Sequence, residues 1–150
     1  MLSFFRKKKS KIDVPYDTKL IKKFHKDHEK LIKTVTKASA AVEAGDTKKV
    51  KALLAQLKTE LLGHFMEEDI KLYRYLKKYY VEEDDITKTI SMFEESIKDI
   101  QRDVVSFLDY YTKENTPLDK KFQEQFNAIV DALGTRIRTE ENNLYTLYIH

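Results

Sequence analysis

The sequence predicts an all-α protein, an up-down-up-down four-helix bundle with a short basic N-terminal tail. Three observations carry this. Apolar residues recur at three- and four-residue steps over four long stretches, the pattern of amphipathic helices. Three glycines and two prolines among 150 residues leave little material for the many tight turns of a β-rich fold. The breaks between the stretches are short, so consecutive helices must run antiparallel along a common axis. At this length the chain is read as one domain, the bundle over residues 17–150 and a flexible tail over 1–16.

The first helix follows Pro15, with Asp17 or Thr18 as cap, and buries Leu20/Ile21, Phe24, His28, Leu31, Val35 and Val42. Gly45 ends it, because glycine takes the left-handed C′ conformation cheaply. Asp46 or Thr47 caps the second helix, whose stripe is Val50, Leu54, Leu57, Leu61, His64, Glu68, Leu72 and Tyr75, ending near Tyr79 or Tyr80. The acidic turn Glu82–Asp85 suits the N-terminus of the third helix, where carboxylates complement the helix dipole. That helix buries Ile86, Ile90, Phe93, Ile97, Ile100, Val104, Phe107 and Tyr111. Thr116-Pro117 marks the fourth start, with Thr as cap and Pro at the first helical position. Its stripe is Phe122, Phe126, Ile129, Leu133, Arg136/Ile137, Glu140, Leu144 and Leu147.

The net charge of +3 conceals an uneven distribution. Residues 1–16 hold Arg6, Lys7, Lys8, Lys9 and Lys11 against Asp13, a balance of +4, so the remainder carries −1. A nearly neutral body argues against nucleic-acid binding. Leu2, Phe4 and Phe5 beside the basic run allow weak contact between the tail and an anionic membrane surface. Myristoylation is closed, since Leu2 stands where glycine is needed. No run approaches the roughly 18 apolar residues of a membrane span, and no secretory signal is visible, so a cytoplasmic protein is expected. There is no Gly-rich phosphate loop, no cysteine and no Ser-His-acid set, so no enzyme activity is expected.

His28, His64, Glu68 and Glu140 interrupt the apolar stripes with ligand-capable groups, and Arg136 is a fifth intruder. An imidazole and a carboxylate one turn apart inside a core need partners, and a metal ion is one. Without cysteine, any metal must be held by nitrogen and oxygen. His28 lies 17 residues before Gly45 and His64 18 residues after Asp46, so the two histidines fall at one level. Glu140 is 25 residues beyond Asn115 and Ser96 is 19 before it, a mismatch of about 9 Å at 1.5 Å per residue. Two readings stand side by side. One is a metal site in the bundle interior; the other is a buried polar network, with Arg136 bridging Glu68 and Glu140 and the histidines hydrogen-bonded.

In FHKDHEKLIKTV, LLGHFMEEDIKLYRYL and RIRTEENNLYTLY the chain resembles the hemerythrin-like family of HHE cation-binding domains. The resemblance implies an up-down bundle around a non-haem di-iron site. There the second and fourth helices each offer a His–three–carboxylate pair, and the first and third supply further histidines. It assigns His28 as first-helix ligand, His64 and Glu68 as the second-helix pair and Glu140 as the fourth-helix carboxylate. Two departures follow: Arg136 stands at the fourth-helix histidine position, and the third-helix histidine falls at or near Ser96. A guanidinium at 136 can supply the charge of a missing ion, so one iron or none is expected rather than a full pair. A second stretch, KFQEQFNAIVDALGTRIRTEENNLYTL, is similar to the last helix of the regulator of sigma D family, and Gly63-His64-Phe65 also fits that family. That resemblance implies a metal-free module that binds a protein partner such as a sigma factor. The leading expectation is a hemerythrin-like iron-binding protein with a degenerate site, sensing or handling iron, oxygen or nitric oxide.

Overall fold

The structure, a computed structural model, describes residues 13–149. All regular elements among them are helical. Helix α1 spans Leu20–Glu43. Helix α2 comprises Thr47–Glu67, a π-helical turn at Glu68–Tyr73 and a last α-helical stretch, Arg74–Tyr79. Helix α3 is Asp84–Tyr111. Helix α4 comprises Lys120–Thr139, a second π-helical turn at Glu140–Leu144 and a 3-10 turn at Tyr145–Leu147. Each helix packs against its neighbour in sequence, as the short connections require. None of the described helices is long and apolar enough to cross a membrane.

The connections follow from local chemistry. Gly45 has φ +69°, a left-handed value, and the amides of Gly45 and Asp46 donate to the carbonyls of Val42 and Ala41 at 3.1 and 3.0 Å. This closes α1 with the paired bonds of a Schellman motif. Asp46 then caps α2 by accepting from the amide of Lys49 at 3.1 Å. Two caps differ from expectation. Helix α1 begins at Leu20 with Lys19 at the cap position and no side-chain cap, Asp17 Oδ1 accepting from the amide of Lys19 at 2.8 Å, so neither Asp17 nor Thr18 caps it. Helix α4 begins three residues after Pro117, because Asp119 accepts from the amide of Phe122 at 3.0 Å and provides the stronger cap. Thr116 lies in the preceding turn instead. Its carbonyl, with those of Tyr111 and Lys113, receives the Lys51 ammonium, which ties the α3–α4 turn to α2.

The core runs the length of the bundle. At the end holding the α3–α4 turn, Phe107, Tyr111, Phe122 and Phe126 pack together with ring centroids 4.9–6.4 Å apart. Burying such rings stabilises by about 1.5–3 kcal/mol each. At the other end Tyr16 stacks on Tyr148 at 4.6 Å, and Tyr75 meets Tyr148 edge-on at 5.0 Å. Residues 1–12 of the basic segment lie outside the described residues. Residues 13–16 lie against the bundle: Val14 is buried and Asp13 pairs with Lys78 at 2.5 Å.

Asp119→Ala is expected to lower stability by about 1 kcal/mol, and Asp119→Asn by only a few tenths of that. Urea denaturation checks this. A neutral Asp119→Ala would return the cap to Thr116.

Candidate metal centre

The four residues singled out in the sequence converge. His28, His64, Glu68 and Glu140 are all buried, and one ligand-capable atom from each lies within 4.8 Å of the others. The two imidazoles meet at the predicted common level, Nε2 to Nε2 3.2 Å. Glu140 Oε1 lies 2.8 Å from His28 Nε2 and 3.6 Å from His64 Nε2, and Glu68 Oε2 lies 3.2 Å from His64 Nε2. Helices α1, α2 and α4 supply these groups; α3 supplies none.

The outward ring nitrogens are held as well. His28 Nδ1 donates to Glu141 Oε2 at 2.7 Å, and His64 Nδ1 donates to Asp27 Oδ2 at 3.0 Å. An outward N–H on a carboxylate leaves the inward Nε2 lone pair free and strengthens it as a donor to a cation, the arrangement found behind metal-bound histidines. The other oxygen of Glu68, Oε1, is buried with no hydrogen-bond partner. An orphaned carboxylate oxygen costs about 1–3 kcal/mol or more, and a cation removes that cost. Two imidazole nitrogens and two carboxylates within reach of one point therefore fit a nitrogen- and oxygen-bound metal ion.

Arg136 completes a different arrangement. Its Nε donates to Glu140 Oε2 at 3.0 Å, and its terminal nitrogens reach Tyr73 Oη at 2.5 Å and the Phe93 carbonyl at 3.2 Å. Its guanidinium carbon sits 5.9 Å from the centre of the Phe93 ring. The sequence reading gave Arg136 a bridge to both Glu68 and Glu140; the structure gives it Glu140, Tyr73 and Phe93. The level of α3 is also corrected. Phe93 is 22 residues before Asn115 and Arg136 is 21 after it, so these two match in height, whereas Ser96 is exposed one turn away.

Sequence reasoning missed Tyr73 and Tyr145. Tyr145 Oη lies 2.7 Å from Glu68 Oε2 and 3.1 Å from both Glu140 Oε1 and His28 Nε2. In an α-helix, a residue five beyond a glutamate is turned about 140° away from it. The π turns at Glu68–Tyr73 and Glu140–Leu144 add one residue to the circuit and return each tyrosine to the glutamate's face. A signal was present: Glu68-Asp-x-x-Leu-Tyr73 and Glu140-Glu-x-x-Leu-Tyr145 repeat one pattern. The supporting Asp27 and Glu141 were missed because they flank the stripes instead of lying on them.

The charges are strongly linked. Burial disfavours a protonated His64, yet the hydrogen-bonding Glu140 and Glu68 outweigh it and raise its pKa to about 10. For His28 too, burial acts downward and the bonds to Glu140 and Glu141 win, raising its pKa. Burial and the Glu140 charge push Glu68 upward. Burial also opposes ionised Glu140, but hydrogen bonds from His28 and His64 and the Arg136 charge hold it well below the usual carboxylate range.

An antiparallel helical bundle with an interior cluster of imidazoles and carboxylates is the architecture of a metal-binding bundle protein. The family model described as Hemerythrin HHE cation binding domain matches residues 17–148. The chain belongs to that family. No curated protein and no solved structure matches it.

The raised His64 pKa has a definite sign. Its contribution to metal-free stability is complete below its ordinary value of 6.5 and is lost as pH rises through about 10. The melting temperature of chelator-treated protein is therefore expected to fall between pH 7 and pH 10, with a flatter profile in His64→Phe. Metal uptake must expel the same proton, so affinity is expected to rise over this window. Calorimetry across a pH series measures both.

Proposed function

We propose that this is a hemerythrin-like non-haem iron protein whose site takes a single ion, held by His28, His64, Glu68 and Glu140. The observation that carries the reading is the convergence of these four buried groups, one ligand-capable atom of each within 4.8 Å of the others, with both histidines oriented from behind by carboxylates. The ligand set supports one ion and not two. Where a second ion would need nitrogen ligands from α3 and α4, this chain has the Phe93 ring and carbonyl and the Arg136 guanidinium. A guanidinium paired with Glu140 supplies fixed positive charge there and is never deprotonated in proteins.

Access supports small-molecule handling. A cavity of about 200 Å³ abuts His28, His64, Arg136 and Glu140 and is otherwise lined by apolar side chains such as Leu31, Val35, Phe65 and Leu133. Its rim includes the exposed Ile32 and Thr36 on α1. A space of this size and polarity suits oxygen or nitric oxide better than a charged metabolite. When bound, iron would supply redox chemistry and a coordination position for such a molecule. The role of His28, His64, Glu68 and Glu140 is to hold it, and that of Arg136 is to balance Glu140.

Protein purified without air or chelator is expected to carry about one iron per chain, and His64→Ala or Glu68→Ala less than about a tenth of that. Chelation is expected to lower the melting temperature of the wild type, since a ligand bound only by the native state stabilises it. Wild-type iron no higher than in His64→Ala, with melting unmoved by chelator, would instead support a metal-free interaction module.

A further inference from the structure

We propose that Tyr145 is itself a ligand of the metal, bound through its phenolate oxygen, which makes the donor set two nitrogens and three anionic oxygens. The inference rests on the single-ion reading above and deepens it.

The argument begins with one proton. A phenol can donate a single hydrogen bond, yet Tyr145 Oη lies within 3.1 Å of Glu68 Oε2, Glu140 Oε1 and His28 Nε2 together. At most one of the three can accept from it. A protonated His28 Nε2 can donate to the Tyr145 oxygen, but the further contact with Glu140 Oε1 sets lone pairs against one another, which is unfavourable unless a cation lies among them. By distance, Tyr145 is as much a member of the cluster as His64, whose Nε2 is 3.2 Å from Glu68 Oε2.

Its position is also built. The π turn directs it to the Glu140 face, and its ring stacks on His28 and Phe24 with centroids 5.6 and 5.5 Å away. Wedged between these rings and only 1% exposed, it has no other place to turn. The twin residue Tyr73 shows what the same position does beside a cation already present: it accepts from the Arg136 guanidinium. Two tyrosines occupy equivalent places after equivalent glutamates. One faces a fixed positive charge, and the other faces the point where the metal ligands converge.

The cavity adds direction. It touches His28, His64, Arg136 and Glu140, while neither Tyr145 nor Glu68 lines it. The phenol thus approaches from the closed side of the cluster and leaves the cavity side open.

In the binding step the Tyr145 O–H bond breaks and an oxygen–metal bond forms. The proton passes to solvent, and no electron is transferred when the ion enters as ferric iron. Three anionic oxygens are hard donors and suit ferric iron over softer divalent ions.

The test loads the full chain with ferric citrate under conditions that give about one iron per chain. A visible phenolate-to-iron charge-transfer band is expected, with tyrosine ring vibrations enhanced in resonance Raman. Tyr145→Phe is expected to keep most of its iron and lose both signals. Raman on wild-type protein keeps the test decisive even if that variant folds poorly. Iron-loaded wild type without tyrosinate vibrations overturns the proposal and leaves the iron reading standing. Loss of the signals in Tyr73→Phe but not in Tyr145→Phe also overturns it. Wild type that takes up no ferric iron overturns the proposal, and the iron content of protein purified without air tells whether the iron reading falls with it.

Discussion

Two carboxylates share the interior of this bundle, and the need to match their charge organises what surrounds them. Glu68 and Glu140 are each about 1% exposed, so water cannot screen them. Ionising both without compensation would cost several kcal/mol. The chain answers unequally. Glu140 receives a guanidinium and two imidazoles, which keep it ionised. Glu68 receives a tyrosine hydroxyl and one imidazole, keeps a bare oxygen, and is the group pushed toward neutrality. The cluster is satisfied at Glu140 and incomplete at Glu68, and this imbalance is what asks for a cation.

The scaffold holds the imbalance in place. Helix α3, the one helix without a ligand-capable group in the cluster, clamps Arg136 through the Phe93 ring and carbonyl. Around the histidines, Asp27 and Glu141 fix the ring orientation from the surface side, and Glu141 also contacts the half-exposed His25 at 3.2 Å. The centre is therefore wired outward through carboxylates at the edge of the bundle. Its two ends are sealed by aromatic clusters.

Much of this was legible from the sequence because helical periodicity is a strong signal. The four stripes, the Gly45 stop and the equal level of His28 and His64 all follow from spacing and rise alone. The start of α4 was misplaced because Thr116-Pro117 is a good local signal that loses to Asp119, and the use of Thr116 by Lys51 is a tertiary fact. The mismatch between Glu140 and Ser96 was visible as a discrepancy in height; its resolution, Arg136 reaching Phe93, needed the side chain's length and the partner helix. Tyr73 and Tyr145 escaped notice because α-helical geometry turns them outward, and only a π turn brings them back. A rule of constant period cannot anticipate a change of period, although the doubled Glu–Tyr spacing records it.

Those π turns bear on how the chain can vary in length. Each lodges one residue more than an α-helix needs to return to the same face. Losing a residue between Glu140 and Tyr145 would relax the coil to regular geometry and leave the tyrosine facing inward. Losing one between Arg136 and Glu140 would keep that pair on one face but turn Glu140 by about 100° relative to the helix before it. Single deletions should thus be tolerated on the C-terminal side of each glutamate and purged on the N-terminal side, a polarity that variation among related chains would display.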